Sequence, residues 1–375
     1  MRHVDAMTVA PSPNAPEQRL QGLDVLRLMA VLGVVAFHYG FRGPNGYQGA
    51  HVAVPELASW ARYGFLGVPV FFIISGYVIA YSAEGRSAAA FAIARFSRIY
   101  PTFLLCMTLT FVAVVAFGAP HFRTSLATWV ANLFIAAPEL GHDYIDSAYW
   151  SLVIEVIFYG WATLFIRLGL FPRRNDLIVG VWLVLSLLNE MTIDAQFFCK
   201  IFLADYSGFF ATGLLIYQLQ CGRRDRAVQC LLALAAMTAI YQADHSLAWL
   251  RAHSGEPFSV AIVSAICLLS IIVIRVCVGL KRFPVPGRIT LAIGGMTYPL
   301  YLLHQQLGYT LLEHFGIAPH APVAVAAVIA VVAMLSLAVW AWFERPAQRW
   351  TRNVLSREYG RWADRAAAAR SSSGA

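Results

Sequence analysis

Charge is what this chain most lacks. Asp, Glu, Lys and Arg make up 13% of its 375 residues, and 59% are hydrophobic. That charged share is about half that of an ordinary soluble domain, which excludes a soluble globular chain and puts most of the protein in lipid. The net charge is +8, yet the basic residues fall between apolar blocks rather than in one patch, so they report topology and exclude a nucleic-acid face. Cysteine is sparse and unpatterned. Cys106, Cys199, Cys221, Cys230, Cys267 and Cys277 lie in or beside apolar blocks with no CxxC or zinc-like spacing, which argues against a metal or disulfide framework. GxSxG, P-loop and HExxH motifs are missing, as are an internal repeat and a second domain. Residues 1–19 are polar and Pro-rich without a short apolar core, so no cleaved signal peptide is expected.

What the chain does have is apolar runs of membrane length. Residues 23–40, 64–82, 99–118, 150–169, 177–188, 203–219, 228–241, 260–280, 289–311 and 323–343 are predominantly apolar. They predict an all-α polytopic membrane protein of about ten transmembrane helices, the fifth and seventh the weakest by length. With the amino terminus inside, the inner segments collect Arg86, Arg95, Arg98, Arg173, Arg174, Arg223, Arg224, Arg226, Lys281, Arg282, Arg288 and the arginines from Arg345 on. The outer loops hold only Arg42, Arg62, Arg123, Lys200 and Arg251. The positive-inside rule then makes both termini cytoplasmic. Residues 125–137 are apolar but too short to span, and are expected to be interfacial or re-entrant. The expected organisation is a disordered cytoplasmic segment 1–20, a membrane domain 21–346, and a cytoplasmic tail 347–375 whose end, RAAAARSSSGA, reads as disordered.

Ionisable side chains inside such runs need a reason, because each is costly in hydrocarbon. The first run, LDVLRLMAVLGVVAFHYG, carries Arg27 and His38, eleven residues apart. On an α-helix that spacing returns them to within roughly 20° of one face, about 16 Å apart along the axis. Either this stripe faces protein or a water-filled cavity, or Arg27 snorkels to one interface and His38 sits at the other. The second run is interrupted by Gly64, Gly67, Pro69, Ser75 and Gly76, which points to close helix packing, with a binding role for Ser75 as the alternative. RFSRIYP sets Arg95 and Arg98 at the inner mouth of the third run. There Arg98 either grips a phosphate or simply obeys the positive-inside rule. YWSLVIEVIFY opens the fourth run and puts Glu155 in the membrane, where it needs a partner; His38 or an arginine is the candidate. In the ninth, TYPLYLLHQQ holds His304 among aromatics, as a hydrogen-bonded structural residue or an acid/base group. FERP follows, with Glu344 and Arg345 expected as a structural ion pair. An intramembrane His, Glu and Arg set serves either proton-coupled transport or acyl transfer with His as general base.

Together these motifs resemble the acyltransferase-3 family of integral membrane O-acyltransferases. Arg27 and His38 match that family's Arg-x10-His signature, and Leu23, Asp24 and Arg27 its opening GLDxLR. GFLGVPVFFIISGYVI, RIYP at 98–101, WSLVIE at 150–155, YPLYLLHQ at 298–305 and FERP at 343–346 follow in order. Pro69 departs from the acidic residue of GVDVFF, and Val156 from the second acid of WSLSVEE; both loosen any inference about the acceptor. The resemblance implies a ten-helix fold in the inner (plasma) membrane. It would take an acyl group, commonly acetyl, from cytoplasmic acyl-CoA and place it on a hydroxyl of an extracytoplasmic glycan or related acceptor. It also implies His38 as the essential histidine with Arg27 paired to it, Arg98 and Glu155 as further family positions, and no appended hydrolase domain of the kind some relatives carry.

The resulting expectation is a multi-pass O-acyltransferase with acyl-CoA, commonly acetyl-CoA, as donor and no metal. His38 is the candidate base, Glu155 would hold the imidazolium, and Arg27 would place the donor. Arg98, Arg95 and Arg86 would join Arg27 in attracting the donor's phosphates, and Ser75, Trp150 and His304 are candidate acceptor-binding residues. An acyl-histidine intermediate is the mechanistic variant. The competing reading is a proton-coupled exporter built on the same residues, which discontinuous helices and an inverted repeat would favour.

Overall fold

A computed structural model describes residues 20–43, 54–172, 174–280, 284–316 and 321–373. The expectations placed on residues 1–19 and on Arg173, Lys281 and Arg282 lie outside the described residues. Helix α1 (Gln21–Phe37) runs into a π turn over His38–Arg42. The short α2 (Ala58–Ala61) leads into α3 (Gly67–Ala83), and α4 (Ala88–Phe117) follows after a tight turn. Next come α5 (Leu126–Asn132), α6 (Trp150–Arg167), α7 (Asn175–Leu188), α8 (Gln196–Ile201) and α9 (Ser207–Gln220). Then follow α10 (Arg226–Ser254), α11 (Val260–Gly279), α12 (Gly287–Leu303) and α13 (Gln306–His314). Last are α14 (Pro322–Ala338), a π turn over Val339–Glu344, and α15 (Arg345–Ser373). Local chemistry sets several of the starts. The side chains of Ser87, Ser125, Asp225 and Ser259 each accept the backbone N–H three residues on, satisfying a donor that the helix cannot.

Among the described residues eight helices are long and apolar enough to cross a membrane, so the chain is an all-α, multi-pass membrane protein. The two apolar runs outside that set are informative. Residues 203–219 give α9, only 14 residues long, and residues 289–311 are broken at His304 and Gln305 into α12 and α13. The runs expected to be weakest lie instead in helices of 19 residues (Asn175–Ile193) and 29 residues (Arg226–Ser254), because their polar flanks are helical too. α9 can be short because protein, not lipid, surrounds it: twelve of its residues, from Ser207 to Gln218, are buried. Residues 125–137 form the seven-residue α5 and the turn after it, too short to span. α15 stays helical to Ser373, since Ala and Arg are strong helix formers and carry the helix through a segment too polar to pack.

Ion pairs and hydrogen bonds sort the connections onto two faces. Arg223 pairs with Asp176 at 3.2 Å, and the Tyr217 hydroxyl bonds to Glu84. Leu20, Ser82 and Arg345 share a cavity on the same side, so both ends of the membrane region lie at this face. At the other face Lys200 pairs with Glu139 at 2.8 Å, Arg62 with Glu256 at 3.3 Å, and Arg42 lies over the Trp249 ring.

The buried side chains form two cores with α1 between them. Leu23, Val34, Phe37 and Phe41 pack into one, with α3, α9 and α10; Val31, Val35 and Tyr39 pack into the other, with α4, α12, α13 and α14. Close helix approach, expected for the glycines of α3, is found. A Cβ on Gly76 would sit 2.2 Å from the Phe210 carbonyl, and one on Gly213 2.0 Å from that of Ile73, so α3 and α9 cross backbone to backbone. If the face bearing both ends is cytoplasmic, single cysteines at Arg174 and Arg224 will be shielded from an impermeant thiol reagent in intact cells, and those at His142 and Arg251 will label. Labelling of position 224 from outside reverses the assignment.

Candidate active site

Three cavities follow one another along α1 between the two faces. The first, of about 350 Å³, opens at the face bearing the chain ends and is lined by Asp24, Arg27, Arg95, Arg98, Glu344 and Arg345, among others. The second, of about 110 Å³, lies deeper and shares Arg27, Arg95 and Arg98 with the first while adding Ser75, Glu155 and Tyr159. The third, of about 600 Å³, belongs to the opposite half and includes His38, Arg42, Trp150, Asp205, Gln242 and His245 in its wall. Val68 and Tyr301 line both the second and the third, and so form the constriction between them.

Five of the expected residues therefore meet: Arg27, Arg95, Arg98, Ser75 and Glu155 share the middle cavity. Arg27 also approaches Asp24 at 3.5 Å, and Arg95 lies over the Tyr159 ring, 6.0 Å from its centroid. Around the first two cavities four guanidinium groups face the carboxylates of Asp24, Glu155 and Glu344. This leaves an excess of positive charge in a low-dielectric setting, the arrangement that recruits an anion. Arg86 sits apart, in the turn between α3 and α4, and lines none of the three cavities.

Two expected pairings are replaced. Glu155 is bonded not by His38 but by hydroxyls: Ser75 donates to Oε1 at 3.0 Å, and Tyr159, one turn on, donates to the same atom. A part-buried carboxylate demands such donors, and Arg27 and Arg98 also lie near enough to interact with it electrostatically. Glu344 and Arg345 do not act as a local ion pair. Glu344 turns toward Arg98 and Thr102, while Arg345 lies over the Trp340 ring, because adjacent residues point in different directions around a helix.

His38 is 8% exposed and lines the third cavity, whereas Glu155 lines the second. Arg27 and His38 share a helix but not a cavity, the constriction at Val68 and Tyr301 falling between them. The ring of His38 faces that of His304, with centroids 5.0 Å apart. His304 ends α12, and its Nδ1 donates to the Tyr301 carbonyl at 2.7 Å. Trp150 is in the wall of the third cavity, while Ser75 is in the second.

Several residues in this region were missed. Tyr39, in the π turn of α1, donates to the His304 carbonyl, and Tyr309, in α13, donates to the His38 carbonyl at 2.8 Å. Asp146 caps the restart of the broken helix, accepting from the backbone N–H of Gln306 at 2.8 Å and of Ala148 at 2.9 Å. Only Asp146 left a trace in the sequence, as an acid just before a helix start.

These passages around a polar interior define a multi-pass membrane protein with a candidate site inside the helix bundle. A profile of the family described as "Acyltransferase domain" matches residues 20–343, and the chain belongs to that family, acyltransferase-3. It is 30% identical over 175 residues to YrhL of Bacillus subtilis, provisionally named a peptidoglycan O-acetyltransferase, covering 42% of this chain and 25% of that protein. It is 28% identical over 193 residues to the O-acetyltransferase OatA of Staphylococcus aureus, covering 45% and 28%. With the peptidoglycan O-acetyltransferase OatA of Listeria monocytogenes it shares 26% over 189 residues, again 45% and 28%. The matches thus span about a quarter of the length of these relatives. No solved structure matches the chain.

One packing contact isolates the histidine region for test. A Cβ on Gly308 would sit 1.6 Å from the Tyr39 hydroxyl, so Gly308→Ala must push Tyr39 off the His304 carbonyl. It is expected to cost about 1–3 kcal/mol, read as a lower Tm of the purified protein. Gly160→Ala, where a Cβ meets nothing within 4 Å, is expected to leave Tm unchanged or raise it.

Proposed function

We propose that this chain is a membrane O-acyltransferase that moves an acyl group, acetyl in the first instance, from acyl-CoA to a hydroxyl of a glycan or related acceptor on the far side of the membrane. The observation that carries the proposal is the series of cavities: an arginine-lined entrance and a histidine-lined chamber meet at one constriction. Family membership supports acyl transfer as the reaction, and the names of the relatives support acetyl as the group and a cell-wall glycan as the kind of acceptor. The basic face that holds both chain ends is the cytoplasmic one in this reading, in line with the positive-inside rule.

The donor's phosphates meet Arg27, Arg95, Arg98 and Arg345 in the first cavity, and its acyl-thioester arm extends through the second toward Tyr301. The acceptor occupies the third cavity, against Trp150 and beside His38. Neutral His38 takes the proton of the acceptor hydroxyl as its oxygen attacks the thioester carbonyl. The new C–O bond forms, the C–S bond breaks, and the thiolate leaves with the proton that the imidazolium returns. Glu155, held by Ser75 and Tyr159, fixes the charge balance around the arginines and is not the partner of the imidazolium.

The exporter reading has one feature in its favour, the discontinuity between α12 and α13. The carbonyls near that break are occupied, however. Tyr39 bonds that of His304, the His304 ring that of Tyr301, and Tyr149 that of Leu302 at 3.4 Å. They are not left open to ligate an ion, as the broken helices of transporters leave theirs.

Two measurements test the proposal. In membranes supplied with labelled acetyl-CoA, His38→Gln should keep donor binding and lose transfer by about 10²–10⁴; full transfer by that variant removes the general base. Arg98→Ala should weaken donor binding, most at low salt, because the contact is electrostatic and screened as ionic strength rises. Unchanged binding takes Arg98 out of the donor site.

A further inference from the structure

The hydroxyl of Tyr309 touches both the backbone carbonyl and the ring of His38, at 2.8 Å from the oxygen and 3.3 Å from Nδ1. A phenol has one proton to give, and a carbonyl oxygen can only accept. The shorter contact therefore takes the proton, and the oxygen of Tyr309 meets Nδ1 with a lone pair. Two lone pairs repel, so Nδ1 must carry the ring's hydrogen. Resting on the reading of His38 as base, we infer that Tyr309 is a positioning residue that fixes neutral His38 in the Nδ1–H tautomer, leaving Nε2 as the nitrogen that receives the acceptor's proton.

The surroundings make this arrangement rigid. Tyr309 is 1% exposed, its backbone N–H is bonded to the Gln305 carbonyl at 2.9 Å, and its ring packs on those of His38 and Tyr39. The neighbouring imidazole does not compete. His304 has its own Nδ1 hydrogen committed to the Tyr301 carbonyl at 2.7 Å, so in the neutral ring Nε2 holds a lone pair and offers His38 no proton. For Nδ1 of His38 to be the base, Tyr309 would have to abandon the carbonyl, which lies at the start of a π turn buried inside the bundle. In the reaction the hydroxyl proton of the acceptor passes to Nε2, and the resulting imidazolium keeps its Nδ1–H on the Tyr309 oxygen until the proton leaves with the thiolate.

The test reads the tautomer directly. Purified protein with ¹⁵N-labelled histidine, reconstituted in lipid, gives separate nitrogen resonances for protonated and unprotonated ring positions, and subtraction of the His38→Gln spectrum assigns those of His38 among the 10 histidines. The expected result is a protonated Nδ1 and an unprotonated Nε2 in the unmodified protein. In Tyr309→Phe a mixture of tautomers should appear, kcat should fall roughly tenfold or more, and the KM for acetyl-CoA should stay within about twofold. Nε2 protonated in the unmodified protein overturns the inference without recourse to any variant, even if Tyr309→Phe fails to fold. In the variant the two effects must appear together: a fall in kcat with the tautomer unchanged, or a changed tautomer with full kcat, also overturns it. Full transfer by His38→Gln, in contrast, removes the base while leaving the tautomer assignment intact, so the two failures are told apart.

Discussion

Two tyrosine hydroxyls exchanged between α1 and the α12–α13 break hold the interior of this protein together. Tyr39 caps the carbonyl of His304, and Tyr309 caps the carbonyl of His38. Each segment is irregular where it meets the other, one through a π turn and one through an interruption, and irregular backbone at membrane depth draws on donors from elsewhere in the protein. The His38 carbonyl accepts from the Gly43 backbone N–H and from Tyr309, and the His304 carbonyl accepts from Tyr39. Each segment is thus tied to a residue the other supplies. The histidines are carried on the two segments so joined, and their rings are brought edge to face by the same exchange.

The position of α1 between two apolar cores gives the joined segments their setting. One side of the helix is committed to α3, α9 and α10, and the other to α4, α12, α13 and α14, and the three polar cavities follow the seam between them. Arginines tolerate that seam because it is a cavity wall with carboxylates nearby, not hydrocarbon. Their excess over those carboxylates keeps an anion-attracting potential on one half of the path. The histidine half has no comparable excess, since Arg42 is matched by Asp205, and its other polar groups are mainly amides, hydroxyls and imidazoles among aromatic rings. The two halves of the path thus differ in charge, and in the proposed reaction that difference would sort donor from acceptor.

Much of this was legible in the sequence, and the remainder was hidden for physical reasons. Arg27, His38 and Glu155 stood out because an ionisable group in an apolar run is rare without cause. The partner of Glu155 did not: Ser75 lies eighty residues earlier, and nothing in periodicity or spacing connects the two. Tyr39 and Tyr309 carried no signal, since tyrosine is common near membrane surfaces and only the crossing of α1 and α13 gives these two a task. Hydropathy located the eight membrane-length helices among the described residues, but length alone misjudged which runs were weak, because whether a helix must match the bilayer depends on whether lipid or protein surrounds it. The split at His304 and Gln305 could not be read either, as the groups that stabilise it, Asp146 and Tyr39, come from distant parts of the chain.

The short helix α9 has a consequence for how the chain is made. It lies with its glycines against the backbones of α3 and α10: a Cβ on Gly208 would sit 2.4 Å from the backbone nitrogen of Ala239, as one on Gly213 would collide with α3. Its surroundings are therefore supplied partly by a segment the ribosome has not yet produced when α9 emerges. Until α10 arrives, α9 has one flank exposed to whatever the insertion machinery provides, and it carries Thr212 and Gln218 into that wait. The centre of the finished bundle is thus among the last parts to settle, and the order of synthesis is not the order of assembly.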